Sequence, residues 1–233
     1  MLVARLKRAA RLVAACDPAV PDFDNPAWAA LLDAVTVQET RLYRHPAQAD
    51  RAGALMSAGL RRAREQGRGF RMLSAGCATG EEAFTLAAQA MQAQAEAPGI
   101  AWEVLGLDLC RPALASASAG VIAPGLGDPL ALVPPPLRPW LAEADGTPRL
   151  HPALRRNLDF RRANLLDGLG TGAYDMIFCR NVLIYLTDRA RLCVMATLIA
   201  ALRAGGVLAL GPSDRPPGGL EPMGEALWVK PHD

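Results

Sequence analysis

Long apolar runs are missing from this 233-residue chain. Spanning a bilayer takes roughly 18 or more continuous apolar residues, and the longest stretch here, Leu192 to Leu202, stops at Arg203 and Gly205-Gly206. It reads as a buried helix, and no membrane insertion is expected. Charge of one sign is also missing: 25 Lys and Arg face 23 Asp and Glu, a net charge of +2. That balance argues against a nucleic-acid binder, where a basic excess is normal. The five cysteines (Cys16, Cys77, Cys110, Cys179, Cys193) are scattered, odd in number and without a C-x-x-C pair. They exclude a disulfide framework and give no zinc pattern, so no metal is expected and a reducing cytoplasm fits. The first residues, Met1 to Leu12, interleave charges with apolar side chains, which is not the pattern of a secretory signal. Two phosphate-binding signatures are absent as well: the G-x-G-x-x-G fingerprint and the Gly-Lys-Ser/Thr of a P-loop.

What is present is enough apolar sequence, 51%, for one sizeable packed domain with an appendage. Residues 2 to 15 repeat Leu, Val and Ala at helical spacing around Arg5, Lys7, Arg8 and Arg11, which predicts a basic amphipathic helix. Asn25-Pro26 starts a second helix that runs to about Val35. Residues 35 to 44 read as extended, and a long helix follows from about Ala47 to Gln66. From Phe70 strands and helices alternate: a strand from Phe70, a helix over about 81–95, strands at Trp102–Asp108, from Asn157 and from Ala173, a helix over 188–203, and strands at 207–211 and 226–230. Alternation of this kind implies an α/β fold with a mostly parallel sheet; the direction of the last strand stays open. Between Gly120 and Arg156 the pattern dissolves into prolines, which reads as an excursion of short strands and turns with one short helix near Leu137 to Ala142.

The organising stretch is Phe70 to Glu82, a strand that breaks at Gly76 and Gly80 and opens a helix on Glu81-Glu82. The two glycines allow a ligand close to the main chain, and the free amides of the helix start face the same space. Adjacent acids repel a phosphate but suit an ammonium or sulfonium group, and S-adenosylmethionine carries both. Asp108, at the end of the second strand, is placed to accept from both ribose hydroxyls, although an aspartate there also serves to cap the helix that follows. Arg180-Asn181 ends another apolar strand at the same edge of the sheet.

Three segments, Glu39-Thr-Arg-Leu-Tyr-Arg44, Ser74-Ala-Gly-Cys-Ala-Thr-Gly-Glu-Glu82 and Ile177-Phe-Cys-Arg-Asn-Val-Leu-Ile-Tyr185, together resemble the CheR family of chemoreceptor glutamate methyltransferases. Asp108, Asn164-Leu-Leu and Leu208-Ala-Leu-Gly211 fall in the family's order. The resemblance implies a class I methyltransferase (Rossmann-like) fold with a short N-terminal helical domain over 1–38, a methyltransferase domain over 39–233 and a small β-insert at about 120–156. It implies that Thr40, Glu82, Asp108, Asn164, Leu165 and Asn181 line the S-adenosylmethionine pocket, with Gly76 and Gly80 in its loop, and that Arg44 and Tyr185 sit where methyl is transferred. It also implies that the basic N-terminal helix lies against cytoplasmic helices of a chemoreceptor. The chain departs from the family at Leu42-Tyr43, which replaces Phe-Phe, at Ala83, at Asp214 in place of a glutamate, and in a start that resembles the middle of the family's helical domain.

The implied reaction moves a methyl group onto a glutamate carboxylate and leaves S-adenosylhomocysteine. A carboxylate is ionised at neutral pH, so placement and partial desolvation suffice without a general base. Arg44 is expected to hold one carboxylate oxygen of the acceptor, and Tyr185 to orient either the acceptor or the methyl-bearing end by hydrogen bonding. Two other readings stay open: a module that binds the donor or its product without transfer, and a methyltransferase for a carboxylate outside the receptors. His45 and His151 carry no expected chemistry.

Overall fold

A computed structural model describes residues 2–95, 98–122 and 127–232. The basic N-terminal segment forms two short helices, Leu2–Arg8 (α1) and Ala10–Ala14 (α2), rather than one. A third, Pro26–Val35 (α3), begins where Asn25 accepts from the Ala27 amide, the expected cap ahead of a first-turn proline. Ala9, Leu31 and Val35 give these helices an apolar cluster of their own. Residues 36 to 45 form no strand; the chain crosses irregularly to the long helix Pro46–Glu65 (α4).

The sheet is then laid down in order. Phe70–Ala75 (β1) leads to Glu81–Gln94 (α5), Trp102–Asp108 (β2) and Arg111–Ala119 (α6). Arg138–Leu141 (α7) and Pro152–Arg155 (α8) precede Leu158–Arg162 (β3) and Tyr174–Cys179 (β4). Asp188–Ala201 (α9), Leu202–Leu210 (β5), Glu221–Gly224 (β6) and Leu227–Val229 (β7) complete it. The order across the sheet is β3-β2-β1-β4-β5-β7-β6. The first five strands are parallel, whereas β7 runs antiparallel to both β5 and β6.

Strand side chains alternate between the faces, and both faces are covered. Met72 and Met176 point into one core with α4 and α5, and Leu73 and Ile177 into the other with α9. Because the chain reverses its direction of travel between β1 and β4, the carboxyl ends of these strands open a crevice, the usual ligand position in an open α/β sheet.

Two further sequence expectations are corrected here, and one strand is added. The small β-insert is not a sheet: its described residues form a 3₁₀ turn (Pro135–Leu137), α7, α8 and one isolated bridge between Ala142 and Pro148. Prolines at 134, 135, 136, 139, 148 and 152 remove the donors that a ladder needs and favour first helical turns. Residues 123–126 of that span lie outside the described residues. The helix expected to reach Arg203 ends at Ala201 and passes directly into β5, with no turn between. The strand β6 was not expected, because Pro222 and Gly224 hide it.

Candidate active site

The loop after β1 is built on left-handed residues: Gly76 (φ 77°), Ala78 (φ 49°) and Gly80 (φ 97°). The amides of Gly76 and Cys77 both donate to the Leu107 carbonyl, at 2.7 and 2.9 Å, which staples the loop to the end of β2. Asp108 completes the staple. Its Oδ2 accepts from the Ala78 amide and its Oδ1 from the Cys110 amide, each at 2.9 Å. Cys110 is itself the N-cap of α6, and no side chain caps that helix, so Asp108 closes the turn ahead of α6 rather than capping it, while lining the cavity wall. Each carboxylate oxygen has a second lone pair and can still accept a hydroxyl.

A cavity of about 540 Å³ lies over this loop. Nine of the ten residues selected from the sequence line it: Thr40, Arg44, Gly76, Glu82, Asp108, Asn164, Leu165, Asn181 and Tyr185. The tenth, Gly80, does not. A Cβ there would lie 2.8 Å from Phe84 and 2.9 Å from Ala117, so Gly80 is needed for packing and for its left-handed angle at the start of α5. Gly76 serves both ends, since it lines the cavity while its missing Cβ makes room for Val182. The volume is in the usual range for a small-molecule site.

The electrostatics differ from the sequence reading. Glu82 is not an unopposed acid: the Arg180 guanidinium donates to its Oε2 at 2.6 Å, and the Ser74 hydroxyl to its Oε1 at 2.6 Å. Asp108 forms no ion pair among the described residues, so the uncompensated carboxylate lies at the β2 end. Burial, with Asp108 and Glu82 nearby, pushes the Cys77 thiol up, and burial alone is the chief cause of the same shift at Cys179. A shift in that direction disfavours the thiolate at both positions.

Asn164 accepts from the Leu166 amide at 3.2 Å and caps a 3₁₀ turn over Leu165–Asp167, which carries Leu165 to the cavity. Asn181 adopts φ 59°, and its Oδ1 is buried without a hydrogen-bond partner among the described residues. A buried acceptor left open on a cavity wall suits an ammonium or amide donor. At the rim, Tyr185 ends the turn Leu183–Tyr185 and is 44% exposed, and the Arg44 guanidinium donates to the Glu39 carbonyl at 3.0 Å.

Two parts of the site were missed in the sequence. Leu32, Val35 and Thr36 from the end of α3 form one wall, and Arg5 of α1 donates to the Thr36 carbonyl at 2.6 Å, so the N-terminal helices reach the cavity. Arg180 was read only as one of a polar pair. The signal was available: an arginine directly after a fully buried strand needs a buried counter-ion.

Comparison with known proteins adds the following similarities. The chain is 32% identical over 156 residues to chemotaxis protein methyltransferase 1 of Pseudomonas aeruginosa, covering 64% of this chain and 56% of that protein. To the probable biofilm formation methyltransferase WspC of the same organism it is 33% identical over 209 residues, 85% of this chain and 47% of the relative. Chemotaxis protein methyltransferase 1 of Vibrio cholerae is 30% identical over 196 residues, 79% of this chain and 67% of the relative. The chain thus spans about half the length of the first two of these relatives. Among solved structures, an arsenic(III) S-adenosylmethionine methyltransferase from Chlamydomonas reinhardtii overlaps 60% of this chain and 38% of its own at 19% identity with a TM-score of 0.39, too low a likeness to argue from. The family described as CheR methyltransferase, SAM binding domain, matches residues 38–223, well over half of the chain, and the chain belongs to that family.

Proposed function

We propose that the chain catalyses transfer of a methyl group from S-adenosylmethionine to glutamate side-chain carboxylates of a bacterial chemoreceptor, giving γ-methyl esters. The observation that carries this reading is the single cavity that gathers the donor-binding candidates and, at its rim, the Arg44–Tyr185 pair. Its residues fit the donor. Asp108 would accept the ribose hydroxyls, Asn181 Oδ1 would take an amino group, and Asn164, Leu165 and Thr40 would shape the walls. When bound, the donor supplies an electrophilic methyl on sulfur.

The work left to the chain is binding and placement. A glutamate carboxylate is already the nucleophile at neutral pH, with a reference pKa near 4.3. Arg44 holds one of its oxygens by a charge-assisted hydrogen bond, with its own guanidinium braced on the Glu39 carbonyl. The Tyr185 hydroxyl donates a second hydrogen bond and fixes the angle of approach. Lys7, Arg8 and Arg11 form an exposed cationic face on α1 and α2 that complements an acidic receptor helix. No helix among the described residues is long and apolar enough to cross a membrane, which fits an enzyme that meets its receptor from the cytoplasm.

The test is to incubate the protein with methyl-labelled S-adenosylmethionine and receptor-bearing membranes of the encoding bacterium, and to measure base-labile methanol. The wild type should give label on a receptor band. Arg44→Ala should lower kcat roughly 10- to 150-fold, the worth of one charged hydrogen bond, with little change in affinity for S-adenosylhomocysteine. Label on other proteins alone would remove the receptor, and equal loss of turnover and affinity would remove Arg44 from the acceptor side.

A further inference from the structure

The Arg180 side chain is 4% exposed, and a guanidinium cannot shed its charge to escape that burial. Its donors are distributed over two sides of the cavity. Nε binds Glu82 Oε2 at 2.6 Å, while Nη1 is shared between the main-chain carbonyl of Arg44 at 2.5 Å and Gln48 Oε1 at 3.2 Å. The Phe178 ring lies 5.3 Å from its carbon centre. Gln48 is itself buried, and its Nε2 donates to the carbonyls of Leu210, Glu225 and Ala226 at 3.0, 2.8 and 3.3 Å. Arg180 is therefore fixed from behind by the ends of β5 and the β6–β7 turn.

The peptide that it grips is an uncommon one. Arg44 lies between Tyr43 (φ 53°) and His45 (φ 58°), both left-handed and neither glycine. Such backbone persists only when its surroundings over-determine it. Here the Tyr43 amide donates to Thr85 Oγ1 at 3.0 Å, the Tyr43 hydroxyl to Asp50 at 2.5 Å, and Arg180 takes the Arg44 carbonyl. The first two anchor the turn upstream of Arg44. The third acts on Arg44 itself, and it refers that residue to Glu82 on the donor side.

We infer that Arg180 is a positioning residue for methyl transfer: by holding the Arg44 carbonyl and the Glu82 carboxylate on one guanidinium, it sets the acceptor-holding side chain in register with the donor pocket. This rests on the reading of Arg44 given under Proposed function. A displacement of about 1 Å at such a group lowers turnover roughly 100-fold. Arg180 acts on turnover through Arg44, so in a variant that keeps a cation beside Glu82 its effect on kcat should appear only while Arg44 is present.

The experiment is a double-mutant cycle on kcat with receptor-bearing membranes as acceptor. Arg180→Lys keeps a charge for Glu82 but cannot reach both partners. It should lower kcat about 100-fold, leave the acceptor KM and the affinity for S-adenosylhomocysteine within about 3-fold, and add little to Arg44→Ala in the double variant. Losses that multiply, or unchanged kcat in Arg180→Lys, overturn the inference. Should Arg180→Lys fail to fold, Gln48→Met leaves the charge pair whole and removes only the brace. It should lower kcat about 10-fold with the same lack of multiplication, and wild-type kcat there overturns the inference. A readout independent of transfer is tryptic cleavage at Arg44–His45 with S-adenosylhomocysteine bound, expected to quicken about 10-fold in either variant. An unlabelled receptor with the wild type would sink the transfer reading, while unchanged cleavage would sink the hold of Arg180 on Arg44.

Discussion

Replacing Asp108 separates two roles that one carboxylate performs. Its two oxygens accept amides from Ala78 and Cys110 at 2.9 Å, and hydrogen bonds to a charged group contribute about 1.5–3 kcal/mol each. Asp108→Ala should therefore destabilise the fold by about 3 kcal/mol, near the lower bound because the residue is only half-buried. If the same carboxylate also accepts two ribose hydroxyls, affinity falls by about 3 kcal/mol, or roughly 150-fold. Loop damage alone could mimic that loss, so the decisive assay is calorimetric titration with S-adenosylhomocysteine and with its 2′-deoxy analogue. The wild type should prefer the ribose form about 10-fold, and Asp108→Ala should show no preference. An Asp108→Ala protein that keeps the preference would confine Asp108 to bracing the loop.

Gly76→Ala should cost about 2–4 kcal/mol in urea unfolding, from a left-handed φ of 77° and a Cβ placed 2.3 Å from Val182 Cγ2; adding Val182→Ala should recover the steric part. His45 is held below the ordinary imidazole pKa by burial and then by the charges of Arg180 and Arg44. A lowered folded-state pKa means that stability present above about 6.5 is lost as pH falls through the folded value. His45→Asn, which tolerates the left-handed angle, should flatten that part of a pH–stability profile. Asp214 is shifted the other way, chiefly by burial, against the opposing effects of Arg191, the Gly211 backbone and Arg215, and its Oδ2 has no hydrogen-bond partner among the described residues. A raised carboxyl pKa favours the fold below the unfolded value near 3.9 and loses that contribution as pH rises through the folded one. Asp214→Asn should accordingly gain stability at pH 7 relative to the wild type and lose the advantage near pH 4.

The parts legible in the sequence are those set by local chemistry. Asn25-Pro26 capped its helix, Gly76 broke its strand, and Asp108 ended β2 facing the cavity because period-two alternation fixes which residues share a face. What stayed hidden depends on partners far along the chain. Glu221–Gly224 has neither alternation nor β-branched residues and is a strand only because Leu227–Val229 pairs with it. The role of Arg180 required Glu82, 98 residues earlier, and the acidic pair looked unopposed until that contact was known. In the insert, the family expectation of strands gave way to the local effect of its prolines.

The bonds from Gln48 to Glu225 and Ala226 join residues about 180 positions apart. During synthesis the Arg44 segment leaves the ribosome early, and two of the carbonyls that steady it through Gln48 and Arg180 emerge only after nearly the whole sheet has been translated. The segment that carries Arg44 is thus completed by the far end of the chain, and its backbone is fully braced only once the β6–β7 turn has docked on Gln48.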